Sequence, residues 1–331
     1  MKESIILYLI SGETAPNFVI RNAFQAHFEP CYDFDWVHIA SQIGLEEMHR
    51  RFIETLKAAR PHYCFMQVQN PSKMDPYVVR EMAKYTKIIH WTGDVRSSAA
   101  WYNWMADIGR EVYLTLFTNE TDVEKMRALG VRANYLQVGF DDIYYRRKTC
   151  IKGWPDIVFV ANAYDMFELS SFRKRVVLTM YEAFPTQFRV FGNGWHKWGI
   201  RTESIGHTLE AECYNSCKIA LSISSYQLRR YHSDRLLRIM GCGCFALSHA
   251  YPGLEQDYTP GFDIENFSGI DALIERCNHY LINENERKKI ASNGLLTAHT
   301  KCTWKIRCSE LKQLLVQPES CAAKINVVAG Q

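Results

Sequence analysis

The sequence predicts an α/β protein made of two doubly wound domains, and three observations carry that expectation. Short runs rich in β-branched and aromatic residues alternate with longer amphipathic stretches. The alternation is interrupted at Tyr144–Pro155, a polar, basic stretch ending in Gly153-Trp154-Pro155, and then begins again. The chain has 331 residues, too many for one domain at roughly 100–200 residues each. Strands alternating with helices imply parallel β-α-β units with right-handed crossovers.

In the first half, strands are expected at Ile5–Ile10, Trp36–Ala40, Tyr63–Val68, Lys87–Trp91, Val112–Phe117 and Ala133–Val138. Helices fit about Ile43–Ala59, Asp75–Tyr85, Ser97–Ile108 and Thr121–Leu129, the last stopped by Gly130. In the second half, strands are expected at Asp156–Ala161, Phe188–Phe191, Lys218–Ser222 and Cys244–Ser248. Helices fit Ser170–Ala183, Thr208–Ser216, Arg229–Met240, Ile270–Ile282 and one long stretch from Glu284 to Leu315, before a frayed tail, Gln317–Gln331.

Hydrophobic residues make up 47% of the chain and charged residues 23%, which excludes wholesale disorder and collagen-like repeats. The longest apolar runs, such as Ile5–Ile10, fall far short of the ~18 residues of a membrane span. Met1–Ser4 runs straight into a strand-like segment too short for a signal-peptide core, so the expected protein is soluble and cytoplasmic, with no membrane partner. A net charge of +3 does not by itself indicate nucleic acid. The 11 cysteines are an odd number without a secretion signal, so buried, reduced thiols are expected. Neither Cys242/Cys244 nor Cys213/Cys217 has the spacing of a zinc site, and no metal site is expected.

Paired α/β domains hold ligands at the carboxyl ends of their strands, so the residues after each strand are where chemistry is expected. The first strand leads into a small-residue loop, Ser11–Pro16, in which Gly12 would let a substrate approach the backbone. The fourth leads into Trp91-Thr92-Gly93-Asp94-Val95-Arg96, followed by Ser97 as an N-cap. Asp94 there suits a general base toward an acceptor hydroxyl, or an acid that only complements the helix dipole. After the next domain's first strand comes Asn162, and then Arg173-Lys174-Arg175 on a helix opening at Ser170, a grouping suited to a diphosphate. Gly192, Asn193 and Gly194 let backbone approach a planar base, or make a tight turn beside a buried Trp195. In Ser233–Gly243, a helix capped by Ser233 or Asp234 carries Arg235 and Arg238 three residues apart on one face, a phosphate-binding pattern unless that face is simply solvated.

From Ser233 to about Leu311 the chain resembles the C-terminal half of the CgeB-like (spore-maturation) glycosyltransferases, which have the GT-B fold. The matching features stand in order: the capped helix, the Cys242-Gly243 turn, a strand, Leu254-Glu255, Pro260–Ile264, Tyr280-Leu281, Glu286-Arg287, Gly294 and His299-Thr300. Tyr135–Asp141 is the kind of strand these proteins carry before the linker. A second resemblance is to the DNA β-glucosyltransferases of T-even phages, whose Thr-Asp-Ile-Arg segment holds the catalytic base. Thr92–Arg96 is similar to it with Gly93 inserted, Val190–Asn193 is similar to a Phe-Phe-Gly-Asn turn, and Arg173 is the counterpart of a donor-site arginine.

These resemblances imply a GT-B architecture of two Rossmann-like α/β domains facing a cleft. Residues 1–148 would form the acceptor domain, 155–315 the nucleotide-sugar domain and 316–331 a tail. They imply a glycosyltransferase with a nucleotide sugar, UDP-linked, as co-substrate. No cofactor would be required, and a divalent metal would at most stimulate. Asp94 would be the catalytic base. Asn162, Arg173, Gly192, Asn193, Gly194, Asp234, Arg235, Arg238 and Glu255 would bind donor, and Gly12, Trp91, Thr92, Arg96 and Trp101 the acceptor. One departure stands out: the family's ribose-binding Glu is replaced by Arg238, which moves the expected ribose contact to Glu255.

The Asp94 segment, the basic linker and the aromatics Trp91, Trp101, Tyr102 and Trp104 favour one acceptor, a 5-hydroxymethylpyrimidine flipped out of double-stranded (phage) DNA. A surface glycan or protein hydroxyl is the alternative. An inactive GT-B module that binds nucleotide or DNA, and a GT-B epimerase or phosphorylase, complete the set.

Overall fold

The computed structural model describes residues 2–9, 16–150 and 153–316. Gly12 and the tail from Gln317 therefore lie outside the described residues.

The first domain runs β1 (Ile5–Leu9), α1 (Pro16–Gln25), β2 (Cys31–Asp35), α2 (Trp36–Ile43), α3 (Leu45–Ala59), β3 (Tyr63–Met66), α4 (Pro76–Ala83), β4 (Lys87–Thr92), α5 (Ala99–Glu111), β5 (Leu114–Phe117), α6 (Glu120–Ala128) and β6 (Ala133–Tyr135). Its strands form one sheet of order β2-β1-β3-β4-β5-β6, every pair parallel. The second runs β7 (Ile157–Val160), α7 (Ser170–Ala183), β8 (Phe188–Phe191), α8 (His207–Ser216), β9 (Ile219–Ser222), α9 (Asp234–Gly241), β10 (Phe245–His249), β11 (Glu265–Phe267), α10 (Ile270–Ile282), α11 (Glu284–Lys301) and α12 (Trp304–Val316). Its parallel sheet has the order β11-β10-β9-β7-β8. The central strands read as unbroken buried runs, such as Ile-Ile-Leu-Tyr-Leu in β1, because helices cover both faces. Strand order reverses between β1 and β3 and between β7 and β9, and crevices open at such points.

The structure departs from the sequence expectations at five elements, two of them with a clear local cause. Trp36–Ala40 is helical: the strand lies just before it, and the Asp35 carboxylate caps α2 by accepting from the His38 N–H at 2.9 Å. That cap overrides the β-propensity of Val37 and Ile39. The helix around Arg229–Met240 begins only at Asp234. Helix α1 and strand β11 were not expected. The long terminal helix is broken between Lys301 and Trp304, where the Phe140 N–H donates to the Cys302 carbonyl at 3.3 Å. A side chain at Gly139 would put its Cβ 2.6 Å from the Trp304 nitrogen, so only glycine lets the two segments meet.

The break sends α12 back to the first domain. Trp304, Cys308, Leu311 and Leu315 are buried with Ile5, Leu7, Phe24 and Phe28 of the first sheet's core. The expected 155–315 domain thus gives its last helix to its neighbour, and the two domains are tied at both the Tyr144–Pro155 linker and this crossover.

Candidate active site

The second domain brings two arginines over one aromatic ring. The loops after β7 and β9, which flank its crevice, lead into the helices carrying Arg173 and Arg235. Arg173 is 3% exposed; its Nη2 donates to the Asn162 carbonyl at 2.8 Å, while its buried Nε has no partner. Arg235 donates to the Val160 and Ile223 carbonyls at 2.6 and 3.1 Å. Both guanidiniums lie over the ring of Phe159, at 5.4 and 5.3 Å from its centroid. Among the described residues neither has a carboxylate partner. Burial, and then the neighbouring Arg235 charge, push Arg173 well below the usual guanidinium range. Two cations held side by side without compensation suit a ligand bearing concentrated negative charge.

Arg238 has a different role from the one expected of it. It donates to both Glu210 oxygens, at 3.3 and 3.0 Å, and to Asp234. Glu210 also accepts from the Tyr145 hydroxyl at 2.8 Å and the Tyr214 hydroxyl at 3.0 Å. Burial alone would raise the Glu210 pKa, but His207, Arg238 and the two tyrosines outweigh it and hold it to about 2. Arg238 is thus a compensated cation that fixes two carboxylates, not a free phosphate ligand.

The glycines after β8 also act differently. A Cβ on Gly192 (φ 135°) would lie 2.3 Å from the Ala161 carbonyl oxygen, and one on Gly194 (φ 88°) 2.5 Å from that of Ala163. They let the loops after β7 and β8 zip together, with the Asn193 N–H on Asn162 Oδ1 at 2.8 Å. Trp195 fills the turn, fully buried, its Nε1 donating to the Ala161 carbonyl at 2.6 Å. Asn162, Gly192, Asn193, Asp234, Arg235 and Arg238 line one cavity of about 250 Å³; Gly194 and Arg173 do not line it. Glu255 is exposed and lines no cavity, so it does not replace the missing ribose-binding Glu.

A larger cavity of about 640 Å³ lies between the domains and meets the first at Gly206, His207, Asp234 and Arg238. Asp94, after β4, lines it from the opposite side with Gln67, Gln69 and Trp91. Asp94 Oδ2 accepts from Arg96 Nη2 at 2.9 Å, and its side chain is 44% exposed. With the Gln69 amide turned so that both its ends are satisfied, its nitrogen donates to Asp94 Oδ2 at 3.1 Å and its oxygen accepts from the Gly93 N–H at 3.2 Å. Among the described residues no hydrogen bond falls on Asp94 Oδ1. The extra residue Gly93 has a local reason: a Cβ there would lie 2.7 Å from the Trp91 ring, which donates Nε1 to the Leu136 carbonyl and packs edge-on against Trp304.

Thr92 is buried and holds the turn by donating to the Asp94 carbonyl at 3.2 Å. Trp101 is not in the cleft: it lies in the first domain's core with Trp104, which donates to the Met74 carbonyl. Ser98, one residue past the expected Ser97, caps α5. Residues the sequence reading missed are Gln69, Gln137, Tyr145, His207, Glu210 and Tyr231. Tyr231 lies two residues before the Ser233–Gly243 motif, Gln137 in the Tyr135–Asp141 strand and Tyr145 in the linker; Gln69, His207 and Glu210 had no local pattern, since segments distant in sequence bring them together. His232 also lines the cleft, and burial holds its imidazole down to about 4, so it is neutral near pH 7.

Residues 173–313 match the family model described as glycosyl transferase-like. That segment is similar to glycosyl transferases in this family description. It holds both uncompensated arginines, and the match ends inside α12. No curated protein matches the sequence. Among solved structures, Anabaena Alr3699/HepE in complex with UDP and glucose is similar at TM-score 0.68 and 10% identity, over 95% of this chain and 100% of that one. Sucrose-phosphate synthase from Thermosynechococcus elongatus gives 0.65 and 13%, over 96% and 99%. The lipopolysaccharide outer core galactosyltransferase WaaB, apo form, gives 0.59 and 12%, over 96% and 100%. At these identities the likeness is one of fold, and the fold is GT-B. Among the described residues no helix is long and apolar enough to cross a membrane, and no cluster of three or more His, Cys, Asp or Glu side chains could hold a metal ion.

Proposed function

We propose that the protein transfers a sugar from a nucleoside diphosphate sugar to the hydroxyl of an uncharged carbohydrate. The observation that carries this reading is the pair Arg173 and Arg235, the first buried and the second half-buried, over one ring without a carboxylate partner, in the segment that matches the glycosyl transferase-like model. The donor diphosphate would meet this pair, with Asn162 and Asn193 beside the 250 Å³ cavity and Asp234 at its junction with the cleft. A uridine donor is the first choice because HepE, of the same fold, was solved with UDP and glucose. Asp94 would accept the proton of the acceptor hydroxyl as its oxygen bonds to the anomeric carbon. The bond from that carbon to the β-phosphate oxygen breaks, and the diphosphate leaves with the electron pair toward the arginines. A single displacement of this kind inverts the anomeric carbon.

The acceptor wall favours a neutral sugar. It presents the amides of Gln67, Gln69 and Gln137, the carboxylates of Asp94 and Asp141, and the Trp91 ring. Amides and carboxylates pair with sugar hydroxyls, and the two carboxylates repel a phosphate backbone. The reading of a flipped base in DNA rested on the Asp94 segment and four aromatics; Asp94 and Trp91 line the cleft, but Trp101 and Trp104 are core and Tyr102 packs against that core. It rested also on the basic linker, whose Arg146, Arg147 and Lys148 are exposed and line neither cavity.

The test is a panel of UDP-, GDP- and ADP-sugars, each with oligosaccharides or with 5-hydroxymethylcytosine DNA, read by mass spectrometry. A one-sugar gain on an oligosaccharide, lost about 100-fold or more in Asp94→Asn with donor binding kept, is expected. A gain on the DNA alone would overturn the carbohydrate acceptor. Full turnover in Asp94→Asn would remove Asp94 from the chemistry.

A further inference from the structure

The loop that carries Asp94 does not end at the first domain. Val95, the next residue, is 6% exposed, and what buries it belongs to the second domain. It packs into an apolar cluster with Tyr226 and Tyr231, edged by Phe167 and Leu228. Phe167 and Tyr226 hold each other with ring centroids 5.4 Å apart. Val95 is the one member of this cluster from the first domain.

The loops forming this pocket are the ones that lead to the two arginines. Phe167 stands in the loop from β7 to α7, which opens the helix of Arg173; Tyr226, Leu228 and Tyr231 stand in the loop from β9 to α9, which opens the helix of Arg235. The two loops are stitched together where the Leu169 N–H donates to the Ser225 carbonyl at 3.0 Å, and Arg173 Nη1 reaches Ser225 Oγ at 3.5 Å. A displacement of the pocket therefore moves with the arginines. From within its own domain the Asp94 loop is held by Thr92 and Gln69, while its ion pair with Arg96 is exposed, at 42% and 44%, and such pairs contribute little.

We infer that Val95 is a positioning residue, which sets Asp94 against the donor arginines by docking into the Phe167–Tyr226–Leu228–Tyr231 pocket across the domain boundary. The carboxylate is then in place only when the domains are together. This inference rests on the reading of Asp94 as the base. A methyl-sized gap in the pocket leaves donor binding unchanged and misplaces the base, and an ångström-scale misplacement of a reacting group costs up to about 100-fold in rate.

The experiment uses the full chain with three substitutions, Val95→Ala, Val95→Ile and Val95→Asp, beside Asp94→Asn. UDP affinity is measured by calorimetry, and turnover is followed as release of nucleoside diphosphate from the best nucleotide sugar of the panel. The expected result is that Val95→Ala lowers kcat about tenfold or more, with the Kd for UDP within about twofold of the parent, and that Val95→Ile restores kcat. Hydrogen exchange provides a readout independent of substrate. Val95→Asp, which puts a charge into the pocket, should speed amide exchange both at residues 93–98 and at residues 225–231 of the other domain. Unchanged kcat in Val95→Ala, with Asp94→Asn inactive, overturns the positioning role and keeps the reading of the base. Full activity in Asp94→Asn overturns the base itself. If no nucleotide sugar is turned over, exchange decides: faster exchange confined to residues 93–98 overturns the inference.

Discussion

Arg229 and Arg230 stand six and five residues before Arg235 and 56 and 57 after Arg173, in the same domain, yet the two pairs are electrostatic opposites. Arg230 donates to Glu120 at 2.9 Å and to Asp257 at 2.6 Å, and lies 4.1 Å over the Tyr135 ring. Arg229 pairs with Glu120 at 2.9 Å and Glu124 at 3.1 Å. Glu120 and Glu124 belong to α6 of the first domain, so this pair clamps one domain to the other. Arg173 and Arg235 have only carbonyls, hydroxyls and a ring around them. A buried cation with its carboxylate is part of the scaffold; one without it is a place for a ligand's charge. Arg238, held by Glu210 and Asp234, belongs with the first kind although it borders the same cavity as Arg235.

Removing a carboxylate from the compensated side should have the largest effect. Glu210→Ala leaves Arg238 facing Asp234 alone and strips two buried tyrosine hydroxyls of their acceptor, so chemical denaturation should show a loss of about 3–5 kcal/mol. The same carboxylate sets an acid limit. Its folded pKa, about 2, lies below the unfolded value near 4.5, so its contribution is fully present above pH 4.5 and is lost as pH falls toward 2. That contribution is about 3 kcal/mol, and the native protein should unfold more steeply than Glu210→Gln over this interval in an acid titration followed by circular dichroism.

On the uncompensated side, Arg235→Ala should weaken UDP binding about 100-fold, or about 2.7 kcal/mol, by calorimetry. Equal UDP affinity in the parent and the variant would erase the distinction between the two pairs. Next, Arg230→Ala should cost about 1–3 kcal/mol of stability by leaving Asp257 partly buried without its cation and Glu120 with Arg229 alone, while UDP affinity stays within about threefold. Arg96→Ala should have the smallest effect. Its pair with Asp94 is exposed, and the melting temperature should correspond to a change of less than about 1 kcal/mol.

The two pairs also mark how far the sequence could be read. That Arg173 opens a helix after the Asn162 loop, and that Arg235 follows a cap, was legible from strand-end position alone. That Arg238, three residues on, is neutralised was not, because Glu210 lies 28 residues earlier in chain order and reaches it only through the packing of α8 beside α9. The aromatics failed for a related reason. Trp101 and Trp104 follow the Asp94 segment closely enough to look like cleft residues, but α5 turns that face into the core. Trp304, which no strand end predicts, lines the cleft because the helix break at Gly139 and Phe140 sends α12 across.

By itself the sequence determined the two parallel α/β sheets and the strand ends that meet the cleft, since hydrophobic period and glycine or proline breakers are local signals. It also fixed Asp94 at a strand end before a helix. Only the tertiary structure decided which arginines keep an uncompensated charge, which tryptophans reach the cleft, and that Val95 docks Asp94 onto the opposite domain. Those outcomes depend on distances between residues far apart in the chain, and a charge's partner or a ring's burial is a property of such distances.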